Sequence, residues 1–420
     1  LYRTRDYGKT WQPITTGIEA KSFLNAIRED TQREGLLFAG TELGVYASFD
    51  DGDHWQPLQF NLPVTSVRDL TIHGDDLVIA THGRAFWILD NITPLRQVGA
   101  HGEAAKPRMY KPGIAVRIDN DIFLGSPFPP EEPAAKNPPD GAVIDYFLPA
   151  KVAEVKLEIA DLSWRLVRRY SSADKKPEKL PPLPIAPRWF PKPVVLESSA
   201  GMHRFVWDLR WNSSGTGEEF EDEGYGAPRG PRVVPGPYQV KLTVDGVTSS
   251  QALQVEMDPR SKATAAELTQ QLTLGLEIFG EVRHGRQALA ELSAAGSNLG
   301  KLKEQLKGQP QLLDQAEKLE GAMGAIEKGS KAEVQTMGLE AAVSGLQSVL
   351  RVVEVGDRTT PEQAIEVYRL SDEAAKTRIT EWKKLKTGDI EEFNRAVKKA
   401  GFRPIEISAI EIAVESGMSQ

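Results

Sequence analysis

The chain has 420 residues and no cysteine. That absence removes disulfide bridges, thiolate nucleophiles and cysteine-ligated zinc together, and it leaves the redox compartment open. No run of about 18 apolar residues occurs, so no membrane-spanning helix is expected. Basic residues are not in excess: 51 lysines and arginines face 59 aspartates and glutamates, a formal net charge of −8. A general nucleic-acid binder needs a basic stripe that displaces counterions from phosphates, so no nucleic-acid partner is expected. The chain begins at Leu1, inside what reads as a strand, with neither a Met nor a signal peptide. It is therefore expected to be a fragment or processed product whose targeting information lies upstream.

What is present suits several folded domains. Hydrophobic residues make up 40% of the chain, enough for real cores, and the length points to about two to four domains. The opening "LYRTRDYGKTWQPI" is echoed by "VYASFDDGDHWQPL": Thr4, Asp6, Gly8 and Trp11 recur as Ser48, Asp50, Gly52 and Trp55, each 44 residues later. That period suits a four-stranded propeller blade. Around the echo, residues 22–30, 35–41, 44–50, 67–76, 76–81 and 84–90 read as short strands broken by Gly, Asp and Thr. Three strands, an Asp turn and a fourth strand thus occur in part, in full, and in part again. In such a turn the Asp carboxylate accepts backbone N–H groups, the following Gly takes a positive φ, and the Trp packs back over the turn. The motif reads as a folding device and not as a catalytic site.

Thr4-Arg5-Asp6-Tyr7-Gly8-Lys9-Thr10-Trp11 resembles the Asp-box, or BNR repeat, at every defined position, Thr10 included. The second copy keeps Ser48, Asp50, Gly52 and Trp55 but has His54 where the box has Thr, which leaves the corresponding side-chain hydrogen bond open. The longer stretch from "GTELGVYASFDDG" to "LDNITPLRQV" resembles the closing blades of large bacterial Asp-box propeller proteins of the sortilin-like or "glycosyl hydrolase BNR repeat" type. The resemblance implies a β-propeller with the boxes on its periphery and a secreted, periplasmic or cell-surface location. It also implies a partner in the upstream propeller polypeptide or in another protein.

Catalysis finds little to stand on. A sialidase needs an arginine cluster, a Tyr–Glu pair and an acid Asp spread over several blades. Glu42 and Arg84 are the loop residues worth considering, and neither is backed, because sequence does not set the separation of paired groups across a sugar. His73 and His82 stand nine apart with no cysteine or third histidine near them, so satisfied structural imidazoles are expected and zinc is not. Asp50, Asp51 and Asp53 offer oxygens for calcium but lack the glutamate that closes an EF-hand loop. No cofactor is expected.

Residues 92–118 leave the propeller, with 107–111 expected as a last strand, and the Pro/Gly-rich run through 141 reads as a linker. Beyond it, 142–149, 152–161, 163–172, 201–211, 236–246 and 247–258 read as strands, with Asp245-Gly246 as a two-residue hairpin turn. Six or so strands fit an immunoglobulin- or fibronectin-like sandwich over 142–259, interrupted by insertions at 173–193 and 218–232. Trp207 and Trp211 read as core and rim aromatics; a sharper reading makes them, with Trp189, a carbohydrate-stacking platform.

From 261 onward the grammar turns helical. Thr264 and Glu267 form a capping box ahead of a stripe of Leu268, Leu272, Leu276, Phe279 and Val282. Further helices are expected over 298–307, 310–328, 331–355, from Thr360-Pro361, and from Asp389 to Gly401. Ala294–Gly300 and Gly321–Ala325 read either as close helix approaches or as fraying points.

The expected fold class is multidomain, β then α. Terminal propeller blades occupy 1–118, a linker 119–141, a β-sandwich 142–259, and a helical bundle or hairpin 260–420. The expected role is the non-catalytic part of a secreted Asp-box propeller protein in protein interaction or scaffolding. Two alternatives remain open: part of a glycoside hydrolase whose site lies in upstream blades, and carbohydrate binding through the sandwich aromatics.

Overall fold

The computed structural model describes residues 1–99, 106–118, 137–174, 195–211, 230–330 and 336–407. Among them, β-sheets come first and helices follow. The first sheets repeat a hairpin theme. β1 (Tyr2–Arg3) pairs with β2 (Gln12–Pro13) across the first Asp turn. β3 (Leu24–Glu29), β4 (Leu37–Thr41), β5 (Val45–Ser48) and β6 (Gln56–Pro57) form a four-stranded antiparallel sheet, with the second Asp turn between β5 and β6. β7 (Val67–His73), β8 (Asp76–Thr81) and β9 (Phe86–Leu89) form a three-stranded one. β4 and β5 are buried at every position, because a central strand covered on both faces needs an apolar run and not an alternating one. One buried cluster joins Phe38, Val45 and Ala47 of the second unit to Val67, Leu70, Leu77 and Ile79 of the third. A smaller one joins Leu37, Ala39, Tyr46 and Trp55 to Leu1 and Ile18 on the side of the first unit.

The next two sheets share one core. β10 (Arg108–Met109), β12 (Ala142–Leu148) and β15 (Gly201–Trp207) make three strands. β11 (Ala115–Arg117), β13 (Val155–Ala160), β14 (Leu166–Ser171), β16 (Gly236–Val244) and β17 (Val247–Met257) make five, in the order β11-β17-β16-β13-β14. Inward residues of both sheets, from Ile144 and Phe205 to Leu157 and Val240, form a single cluster. The pairing corrects the expectation for 107–111: β10 hydrogen-bonds to β12, so it belongs to this second group and adds no strand to the first. β11, which the sequence reading missed, lies parallel to β17 through Ala115↔Val255, a three-residue strand too short to show periodicity. The hairpin turn is as read, with Asp245 at φ 45° and Gly246 at φ 85° joining β16 to β17.

The helical part opens at the expected capping box: Thr264 Oγ1 accepts from Glu267 N, and Glu267 accepts from Thr264 N. α1 (Ala265–Gln305) then runs for 41 residues without interruption. Ala294–Gly300 is no break, because buried Leu292, Ala295, Leu299 and Leu302 carry the apolar stripe straight through it. α2 (Pro310–Lys328) lies where it was expected. The reading of 331–355 as one helix is corrected. β18 (Gly329–Ser330) and β19 (Thr336–Met337) form a small hairpin first, and α3 (Leu339–Glu354) follows. α4 (Glu362–Leu385) starts after Pro361, with no side-chain cap from Thr360. Asp389 does not cap a new helix either. α4 continues through a π-helical turn at Lys386–Ile390 into α5 (Glu391–Lys399). The wide turn brings Ile390 onto the stripe of Leu385, Phe393 and Val397, all buried in one cluster. Gly401, at φ 85°, ends α5 in a Schellman arrangement: Gly401 N donates to Lys398 O and Phe402 N to Val397 O.

Candidate functional site: the aspartate turns and a buried charged seam

The two Asp turns share their bonds as well as their letters. In the first, Gly8 N donates to Thr4 Oγ1 at 2.8 Å, Thr10 N to Asp6 Oδ1 at 2.8 Å, and Thr10 Oγ1 to Asp6 Oδ2 at 2.7 Å. In the second, Gly52 N donates to Ser48 Oγ at 2.9 Å and His54 N to Asp50 Oδ1 at 2.9 Å, while His54 Nδ1 lies 2.7 Å from Asp50 Oδ2. The backbone repeats as well: Tyr7 and Asp51 sit at φ 59° and 61°, Gly8 and Gly52 at 87° and 88°. Two successive left-handed residues of this kind are tolerated where the second is glycine.

The turns are also interlocked. Trp55 N donates to Thr16 O at 2.8 Å and Trp55 Nε1 to Ile14 O at 3.0 Å, so the Trp of the second turn seats on the segment that follows the first. Gly17 is required there: at φ 96°, a Cβ would stand 2.1 Å from Trp55 O. Arg3 bridges Asp51 Oδ2 at 3.0 Å and Asp53 Oδ1 at 2.6 Å, and Arg5 reaches Asp51 Oδ2 at 2.7 Å. The three calcium candidates do not converge: Asp51 and Asp53 face guanidinium groups, and Asp50 is satisfied within its own turn. Among the described residues, no group of three or more His, Asp or Glu is placed to hold a metal. Burial raises the Asp50 pKa, but hydrogen bonds from His54 and Ser48 outweigh it, and the net shift is downward.

The other sequence candidates are not brought together. Glu42 is engaged by Asn25 at 3.3 Å and Arg68 at 3.2 Å, a strand-edge ion pair. Arg84 lies exposed in the β8–β9 turn, its carbonyl accepting from Trp87 Nε1. His73 and His82 are both exposed, which corrects the expectation of satisfied structural imidazoles. Trp207 is fully buried, with Nε1 donating to Arg210 O at 3.0 Å, and Trp211 is 8% exposed beneath the Arg165 guanidinium. Neither offers a face to a sugar, so the stacking platform loses both members. Trp189 lies outside the described residues.

The sequence reading missed a second constellation. Arg117 at the end of β11 is 2% exposed and donates to Val233 O at 2.6 Å, Gln271 Oε1 at 3.0 Å and Asp357 Oδ1 at 2.8 Å. Glu354 Oε2 accepts from Arg210 NH1 at 2.8 Å and from Arg232 N at 3.0 Å. Burial, and then the like charge of Arg232, lower the Arg117 pKa, while Asp357 and Glu354 oppose that shift. The seam ties the five-stranded sheet to α1 and to the end of α3. Its acid–base partners lie 125 to 240 residues apart, so no local pattern announces them. Beside it, Arg117, Arg232, Asp140 and Asp208 line a cleft of about 290 Å³, open mouth included. The two arginines and two aspartates of its lining sum to no net formal charge.

No family model matches the chain, and no curated protein matches it. The solved structures that match include two of the extracellular domain of BT4673 from B. thetaiotaomicron, named as a one-component system in one and a hybrid two-component system in the other. The first matches at a TM-score of 0.18 and 10% identity over 62% of this chain, the second at 0.17 and 10% over 60%. Each match spans 28% of the other protein's length. Scores this low assign neither fold nor function. Among the described residues, no helix is long and apolar enough to cross a membrane.

Proposed function

We propose that the chain is the non-catalytic part of an Asp-box propeller protein acting in protein interaction or scaffolding. In this reading the first three sheets are propeller blades, the paired sheets an immunoglobulin- or fibronectin-like sandwich, and the helices a docked bundle. The carrying observation is the matched pair of Asp turns: the same bonds and left-handed backbone recur 44 residues apart, and the second turn's Trp55 seats on the segment after the first. The shared core of the second sheet pair supports the sandwich. A secreted, periplasmic or cell-surface location and a partner carrying further blades belong to the same proposal. The glycoside-hydrolase alternative draws nothing from Glu42 or Arg84, and the carbohydrate alternative nothing from Trp207 or Trp211.

The test combines electron microscopy of the longest natural polypeptide carrying this sequence with hydrolysis assays on aryl glycosides and sialosides. The expected result is a ring of radial sheets and no turnover. Sheets that do not arrange radially would overturn the architecture. Turnover abolished by a Glu42→Gln or Arg84→Ala change would overturn the non-catalytic role.

A further inference from the structure

The second and third repeat units differ at equivalent positions in a way that shows what the third unit lacks. In the second, Phe38 pairs with Ala47 and Gly40 with Val45; in the third, Val78 pairs with Ile88 and Ala80 with Phe86. Phe38, Val45 and Ala47 are fully buried in one cluster with Val67 and Leu70 of β7 and Leu77 and Ile79 of β8. Their counterparts are bare: Phe86 is 77% exposed and Ile88 57%, although both are larger than the Val and Ala they replace. The opposite end of the array mirrors this. Tyr46 and Trp55 are 8% and 4% exposed, whereas their equivalents Tyr2 and Trp11 are 64% and 61%. Each face that is closed inside the array is open at its end.

We propose that the outer face of the β7–β8–β9 sheet, centred on Phe86 and Ile88, is a docking surface for a further sheet of the same repeat type carried by another polypeptide segment. The interface between the second and third units is the template. There the covering groups come from the first two strands of the incoming unit, rimmed by an Arg28–Asp69 bridge at 2.6 Å. Residues 1–14 of a second copy offer β1 and β2, the counterparts of a unit's last two strands, and so do not match that template. Large apolar side chains around a ready-made half-interface mark a protein contact and not a small-molecule site. The inference rests on the repeat reading proposed above and names the partner surface within it.

A benzophenone amino acid placed at Phe86 in the longest natural polypeptide, followed by irradiation and peptide mapping, tests this directly. Crosslinks are expected in a strand next to a Ser/Thr-x-Asp-x-Gly turn other than the two in this chain. Crosslinks to residues 1–14 of a second copy, to any other part of this chain, or to solvent alone would each overturn it. A Phe86→Asp, Ile88→Asp double variant separates docking from folding. Both positions are exposed, so the melting temperature of the chain alone is expected to move by less than about 3 °C. Crosslinking from a probe at Thr71, on the same face, is expected to fall at least about tenfold. Unchanged crosslinking in that variant, or its unfolding, would overturn the proposal. A ring seen by microscopy without the crosslink would remove this surface alone, whereas no ring would remove the repeat reading beneath it.

Discussion

His54 stands where the first turn has Thr10, and it makes the same pair of bonds to its aspartate, one from the backbone and one from the side chain. An imidazole nitrogen thus reproduces the geometry of a hydroxyl, which letter-by-letter reading left open. Asp50→Ala removes both acceptors of a carboxylate whose side chain is 15% exposed and is expected to cost about 2 kcal/mol, read by urea denaturation. The pH dependence follows from the lowered Asp50 pKa. Its stabilisation is fully present above the ordinary value of 3.8 and is lost as pH falls through the lower folded-state value. An Asp50→Asn protein should therefore show a flatter acid limb in melting temperature against pH. The two tryptophans give a sharper contrast. Trp55→Ala should cost about 3 to 5 kcal/mol, because that ring is 4% exposed; Trp11→Ala should cost about 1 kcal/mol or less, because its ring is 61% exposed. The sequence makes these residues equivalent, and only their neighbours separate them.

At the level of elements, most strands and the long helices were legible because their signals are local: the Asp245-Gly246 turn, the Thr264–Glu267 capping box, the Leu268-to-Val282 stripe. What escaped was set by distant partners. β11 takes its place from β17, the route of β10 from β12, and the π-helical turn from the need to keep Ile390 in the core. Helix glycines show the same split. A Cβ at Gly285 would lie 2.3 Å from Val343 Cγ2 at the α1–α3 contact, whereas one at Gly296 meets nothing within 4 Å. Gly296→Ala should stabilise by about 0.5 to 1 kcal/mol through helix propensity alone. Gly285→Ala should destabilise by about 1 to 2 kcal/mol despite that gain, since Val343 is buried and stiff at χ1. Thermal unfolding followed by circular dichroism ranks the two.

Across the whole molecule, the seam of Arg117, Arg210, Arg232, Glu354 and Asp357 joins sheets to helices, and nothing in the local sequence foretold it. Glu354→Ala leaves Arg210 without its carboxylate partner in a buried site, and is expected to cost about 3 to 5 kcal/mol. Sheet and helix unfolding, read by tryptophan fluorescence and by ellipticity at the helix band, should then cease to coincide. α1 adds a mechanical term. Its first turns pack Leu272 into the sheet core, while Leu299 and Leu302 pack far along in the helical one. At 1.5 Å per residue, its 41 residues reach about 60 Å. A tilt of about 5° at the sheet end would therefore sweep the far tip through about 5 Å, as wide as one helical turn is tall. Because α1 shares one core with α2, α3 and α4, any rotation at the sheet end would be felt, magnified, at the remote end of the bundle.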